Sequence, residues 1–158
     1  MKTPLTWRGR LAAHKAQSRV VPIPPRLQAS VGVGTIAIPD AREVAAVVAQ
    51  IPPHKLVTAK EISAKIAQQK GATIGCAVST GILLPLVARA AHEAANDTGA
   101  PNNAAPPYWR ALKVRGELNP NYPGGISNLK ARLENEGHTI IQKRKRFFVQ
   151  NYAEKLAD

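Results

Sequence analysis

Asp40 is followed three residues later by Glu43, and Thr58 three residues later by Glu61. In each pair the first side chain can accept from the N–H three residues on, and the second can reach back to the first residue's own N–H. Behind Asp40, Val44, Val47, Val48 and Ile51 recur at helical spacing until Pro52 and Pro53 stop them. Behind Thr58, Ile62 and Ile66 form an apolar stripe and Gly71 a terminator. A chain marked in this way must start two helices a short link apart, and no other feature restricts its fold as much. A third helical pattern runs from Ala77 to Ala95, with Pro85 as a kink or first-turn residue. Two helices joined by a short Gly-containing link suggest a helix-turn-helix.

Outside that pair, Gly34 to Pro39 reads as a short strand, Asn96 to Pro107 as a long loop, and Ser127 to Glu136 as a fourth helix closed by Gly137. Thr139-Ile140-Ile141 and Phe147-Phe148-Val149 flank Lys143, Arg144, Lys145 and Arg146, the pattern of a β-hairpin with a basic tip. The fold class expected is therefore mainly α (α+β): a winged-helix-like helix-turn-helix domain with a short N-terminal strand and a C-terminal β-hairpin. Aromatics are 4% of the chain, so Ala, Val, Ile and Leu must fill most of the core.

Charge points to the partner. Twenty-two Lys and Arg against ten Asp and Glu give +12, which favours a polyanion. Residues 1–39 carry Lys2, Arg8, Arg10, Lys15, Arg19 and Arg26 with no acid, and include Pro4, Pro22, Pro24 and Pro25. They read as a basic arm, either binding phosphate or serving as a solubilising tail. Residues 40–137 form the expected domain, and residues 138–158 a basic hairpin and tail. One cysteine excludes an internal disulfide framework and a Cys-rich zinc site. No run approaches a membrane span, and the N-terminus lacks the apolar core of a signal peptide, so a soluble cytoplasmic protein is expected (nucleoid-associated if bacterial).

From residue 44 onward the order of motifs resembles the DNA-binding domain of the O6-alkylguanine-DNA alkyltransferases, the methylated-DNA–protein-cysteine methyltransferases. Ile51 to Ile66 is similar to that family's first helix-turn-helix element. Pro107-Tyr108-Trp109-Arg110 falls where the family has Pro-Cys-His-Arg, Tyr122-Pro123-Gly124-Gly125 resembles its Tyr-x-Gly-Gly loop, and Leu133 to Gly137 its closing Leu-x-x-Glu-Gly. The departures fall on the chemistry. Tyr108 stands at the acceptor cysteine and Trp109 at the adjacent histidine, leaving Glu136 with nothing at the relay position to orient. A phenol titrating near 10 is a poor nucleophile at neutral pH, and an indole cannot be a general base. Cys76 lies near the family's intercalating Arg, and Ala59 at its nucleotide-flipping Tyr.

What remains resembles the alkyltransferase-like proteins, which bind alkylated DNA without repairing it and pass it to other repair machinery. The resemblance implies double-stranded DNA as partner, repair proteins downstream, and no cofactor or metal. Tyr108, Trp109, Arg110, Gly124, Gly125 and Glu136 would form a base pocket that Tyr108 closes with a flat face and a hydroxyl handle. Lys60, Lys65, Arg89, Lys113, Arg115 and Lys143 to Arg146 would meet phosphates. Three alternatives stay open: a residual methyltransferase using Cys76 as a reactive thiol, a winged-helix regulator or architectural protein, and an RNA-binding accessory protein.

Overall fold

Both capping boxes form. The Asp40 carboxylate accepts from Glu43 N at 2.9 Å and Glu43 returns the bond to Asp40 N at 3.0 Å, starting helix α3 (Ala41–Ala49). Thr58 and Glu61 do the same for α4 (Ala59–Lys70), which ends on Gly71 in a left-handed conformation. The computed structural model describes residues 6–14, 18–97 and 106–157. Within them α5 (Ala77–Asp97) follows α4 as the second helix of the helix-turn-helix. It runs unbroken through Pro85, whose ring leaves the Gly81 carbonyl without its usual N–H. The helix takes in Asn96 and Asp97, so the expected Asn96–Pro107 loop begins later, and residues 98–105 lie outside those described.

The three helices pack on one another through Val44, Val48, Ile62, Ile66, Leu84, Val87 and Ala88, each almost fully buried. Ala41 and Ala59 are buried with them in the same core. Burying one such aliphatic side chain is worth roughly 1.5–3 kcal/mol. Leu129 and Leu133 of α6 (Gly125–Asn135) bring that helix to the same core.

In its described part the N-terminal quarter is laid over the rest of the domain. Helix α1 (Trp7–Ala12) lies on α5, where the Glu93 carboxylate accepts from Trp7 N at 2.9 Å and Arg8 N at 3.2 Å. Strand β1 (Arg19–Pro22) leads into α2 (Pro25–Val31) and pairs antiparallel with β2 (Thr35–Ile38). Strand β2 pairs parallel with β4 (Ile74–Gly75) in the link between α4 and α5, so the sheet crosses the boundary expected at residue 40. Lys2 and Lys15 lie outside the described residues.

Strands β3 (Val57–Thr58) and β5 (Ala111–Leu112) make a second, parallel pair. The expected hairpin forms from β6 (Ile140–Lys143) and β7 (Arg146–Val149), turning through Arg144 at φ 59°. It packs on α6 and on the 3-10 turn Val114–Gly116. The tail is built in as well, because Leu56 N donates to Lys155 O and Ala157 N to Leu56 O at 2.9 and 2.8 Å. No helix among the described residues is long and apolar enough to cross a membrane.

Candidate functional site

The motif residues gather where α6 meets the 3-10 turn Tyr108–Arg110. Gly124 and Gly125 turn the chain into α6 at φ 78° and 66°, and a Cβ on Gly124 would sit 2.6 Å from Asn128 Cβ. Two successive left-handed residues, the first also short of space, call for glycine, which is the physical content of the Gly-Gly element. At the other end Gly137 N donates to Glu134 O and His138 N to Leu133 O, a Schellman closure. That closure sets Glu136 as the last turn of α6, with its carboxylate facing the 3-10 turn.

Glu136 is the hub of this cluster, and with no histidine at the relay position it is engaged by other donors. Its oxygens accept from Trp109 Nε1 at 2.6 Å, from Arg110 Nε at 2.8 Å and from His54 N at 3.1 Å. Arg110 adds a second arm at 2.6 Å and donates its Nη1 to Ile51 O at 2.9 Å. The indole N–H is a donor like a protonated imidazole edge, so Trp109 gives Glu136 a partner without being a base. Burial works to raise the Glu136 pKa, and the Arg110, His54 and Trp109 bonds outweigh it and hold the carboxyl below its ordinary range.

Tyr108 does not open onto a ligand. Its ring is 1% exposed and meets Trp109, Tyr122 and His92 edge-on. Its hydroxyl accepts from Asn128 Nδ2 at 3.1 Å and lies 3.4 Å from His92 Nδ1. The phenol expected to cap a base pocket is thus a core residue, because its one polar atom is already partnered inside. Beside it a cleft of about 440 Å³ is lined by Trp109, Arg110 and Glu136, together with Asn128 and Arg132. Asn128 and Arg132 belong to no sequence motif and come to the cleft only through the docking of α6. Arg132 lies 4.6 Å from the Trp109 ring centroid and donates its Nε to Asn128 Oδ1 at 3.0 Å, while Arg110 lies 5.3 Å from the same ring.

A second cleft lies on the helix-turn-helix itself. Ala59, Ala77, Val78, Gly81, Ile82, Leu84, Lys113, Val114 and Asn119 enclose about 270 Å³ with an almost wholly apolar wall. Val78 is 74% and Ile82 73% exposed, one turn apart on the first turns of α5, and Val114 is 48% exposed. Their helical spacing in the sequence resembles that of the core stripe, so nothing marked them as outward-facing. Cys76 precedes this stretch as the cap of α5: its Sγ accepts from Ser79 N at 3.4 Å and bonds Ser79 Oγ at 3.1 Å.

Several of the cations are engaged within the fold. Arg89 lies 4.8 Å from the Trp7 ring, which Arg10 also covers at 4.6 Å. Lys60 borders the crevice between α4 and β4, while Lys65 borders a groove between α3 and α4 on another side. Arg146 and Lys113 both pair with the buried Glu117, the latter at 3.6 Å. The Arg146 bond, working against burial, holds Glu117 below the ordinary carboxylate range. Arg115, Lys143, Arg144 and Lys145 are exposed around the turn and hairpin tip, with Lys143 Nζ 5.6 Å over the Phe148 ring. Among the described residues no three His, Cys, Asp or Glu stand close enough to hold a metal.

His138, just past α6, is buried with both ring nitrogens unpartnered. Burial lowers its pKa, Lys155, His54 and Arg110 act in the same direction, and Glu136 opposes them. A histidine depressed in the folded state stabilises nothing extra above its unfolded value of about 6.5 and costs stability as pH falls below it. Unfolding free energy should therefore drop between pH 7.5 and 5.5 in urea titrations, and His138→Phe should flatten that slope. An unchanged slope in the variant would assign the loss elsewhere.

No protein-family model and no curated protein matches the chain. Among solved structures it is similar to S. pombe ATL in complex with DNA, with a TM-score of 0.50 and 21% identity, covering 75% of this chain and 94% of that one. It is also similar to S. pombe Atl1 in complex with damaged DNA containing O6-carboxymethylguanine, with a TM-score of 0.48 and 20% identity over the same shares. The chain is a mainly helical α+β domain that shares the fold of S. pombe ATL.

Proposed function

We propose that this chain is a non-enzymatic DNA-binding protein of alkyltransferase-like type, which receives an O6-alkylated guanine in the apolar cleft on α5 and marks it for repair. The observation that carries this reading is the exposed Val78–Ile82 edge of that cleft, set on the second helix of the helix-turn-helix with Lys113 at its lip. An extruded base with an added alkyl group finds apolar wall there, and each buried methylene is worth about 0.8 kcal/mol, or roughly fourfold in affinity. The hairpin with Arg144 and Lys145 at its tip serves as a wing on the phosphate backbone. Against alkyl transfer stand the burial of Tyr108 in the core and the place of the partly exposed Cys76 thiol in the cap of α5 rather than in the motif cluster. S. pombe ATL, crystallised with DNA, lends the reading its precedent on the same fold.

Fluorescence anisotropy on matched duplexes containing guanine or O6-methylguanine tests it. Binding should be about fourfold tighter to the lesion, and tighter again with a longer alkyl group. Its log–log salt slope should be near −5 if about 6 phosphates are engaged. Ile82→Asp should abolish the preference. Equal affinity for both duplexes would favour an architectural protein, and a flat salt response would remove nucleic acid altogether. A labelled methyl adduct on the protein that disappears in Cys76→Ala would restore the enzyme reading.

A further inference from the structure

Glu117 has no part in the sequence motifs, yet it joins the two elements that the proposed function assigns to DNA. The chain here pairs with both: Lys113 N donates to Glu117 O at 2.9 Å, and Glu117 sits opposite Phe148 of the hairpin, with Leu118 N next to it donating to Phe147 O at 2.9 Å. Its side chain is almost fully buried and holds one cation from each element. Arg146 of β7 donates Nε to Oε2 at 3.0 Å and Nη2 to Oε1, while Lys113 Nζ stands 3.6 Å from Oε1. Both cations remain about half exposed at their outer ends, with side-chain exposures of 59% and 45%. Gly116 beside it packs so closely on Tyr152 that an added Cβ would lie 2.5 Å from the ring, which fixes the turn from behind. The hairpin and the Lys113–Val114 lip of the apolar cleft therefore have one carboxylate in common.

We propose that Glu117 is a specificity-positioning residue: by clamping Arg146 and Lys113 to one buried carboxylate, it locks the basic hairpin to the lip of the α5 cleft, so that backbone contact and base capture occur in one fixed geometry. This rests on the base-capture reading above. It also opposes what charge alone dictates. Removing a negative group from a protein of formal charge +12 should strengthen binding to any duplex, and freed Arg146 and Lys113 should do so further.

Glu117→Gln keeps the size and a hydrogen-bond acceptor while removing the charge. Anisotropy with full-length protein on the guanine and O6-methylguanine duplexes should show unmodified-duplex affinity held or raised up to threefold. The lesion preference should fall from about fourfold to below 1.5-fold. Amide exchange at Leu118 should quicken in the same variant, and Glu117→Asp should recover part of the preference. A variant that keeps the full preference overturns the proposal. A parallel loss of affinity for both duplexes with a lowered thermal midpoint also overturns it, since that marks a merely structural residue. Wild-type protein without any preference would instead sink the base-capture reading beneath it.

Discussion

Glu136→Ala is expected to lower the unfolding free energy by about 3 kcal/mol, read from the urea midpoint at neutral pH. The magnitude follows from what the alanine strands. Arg110, with a side chain 13% exposed, keeps only its bond to Ile51 O, and Trp109 Nε1 and His54 N lose their acceptor. The unpaired Arg110 charge and the buried Trp109 N–H each carry a desolvation cost that the intact cluster avoids, whereas the exposed His54 N–H can turn to water. Glu136→Gln keeps an acceptor oxygen and should lose about half as much. The acid sign is also fixed. Because the folded carboxyl titrates below its ordinary value, its contribution is present above about pH 4.5 and disappears as pH falls through the depressed value. This window lies below the one in which His138 acts, so the two can be separated in a single pH series. A Glu136→Ala variant as stable as the parent would mean that the hub is ornamental.

Gly75→Ala should be as costly, about 3 kcal/mol, with a thermal midpoint lowered by roughly 6–12 °C. A Cβ at that position would lie 2.0 Å from Ser63 O and 2.3 Å from Ser63 C. Both are backbone atoms of α4, so no rotamer change relieves the overlap and β4 must lift away from the helix. Gly81 gives the contrast within the same helix-turn-helix. Nothing lies within 4 Å of its Cβ position, so Gly81→Ala should be neutral or stabilising by about 0.5–1 kcal/mol. Equal midpoints for the two variants would show that the α4–β4 contact is slack.

Local chemistry was legible wherever it acts between near neighbours. Asp40 with Glu43, Thr58 with Glu61, and Gly71 and Gly137 as stops all form as written, since a cap needs only residues three or four apart. The strand at Thr35–Ile38 was visible as a short strand-like run, and the hairpin as two short apolar runs flanking four cations. Long-range closure was not. That Trp109 would donate to a carboxylate 27 residues away, or that Arg146 would fold back on Glu117, depends on how elements dock and leaves no periodic trace. Four adjacent cations suggested four phosphate contacts, yet Arg146 pairs with Glu117. Tyr108 illustrates the same limit. An aromatic at a family's reactive position invited a pocket, whereas Asn128 and His92, supplied by two different helices, had already taken up its hydroxyl. Val78 and Ile82 were hidden for the opposite reason, because outward aliphatics on a helix have the same spacing as inward ones.

The mixed sheet bears on how this protein can be shortened. Ala37 O takes a hydrogen bond from Cys76 N at 3.1 Å, and Ile36 and Ala37 flank Ile74 and Gly75 in register. Trimming away the first forty residues would therefore strip the bend ahead of α5 of its neighbour and uncover Ile36's former seat to water. What reads in the sequence as an arm includes, at β2, a brace against the turn that precedes α5.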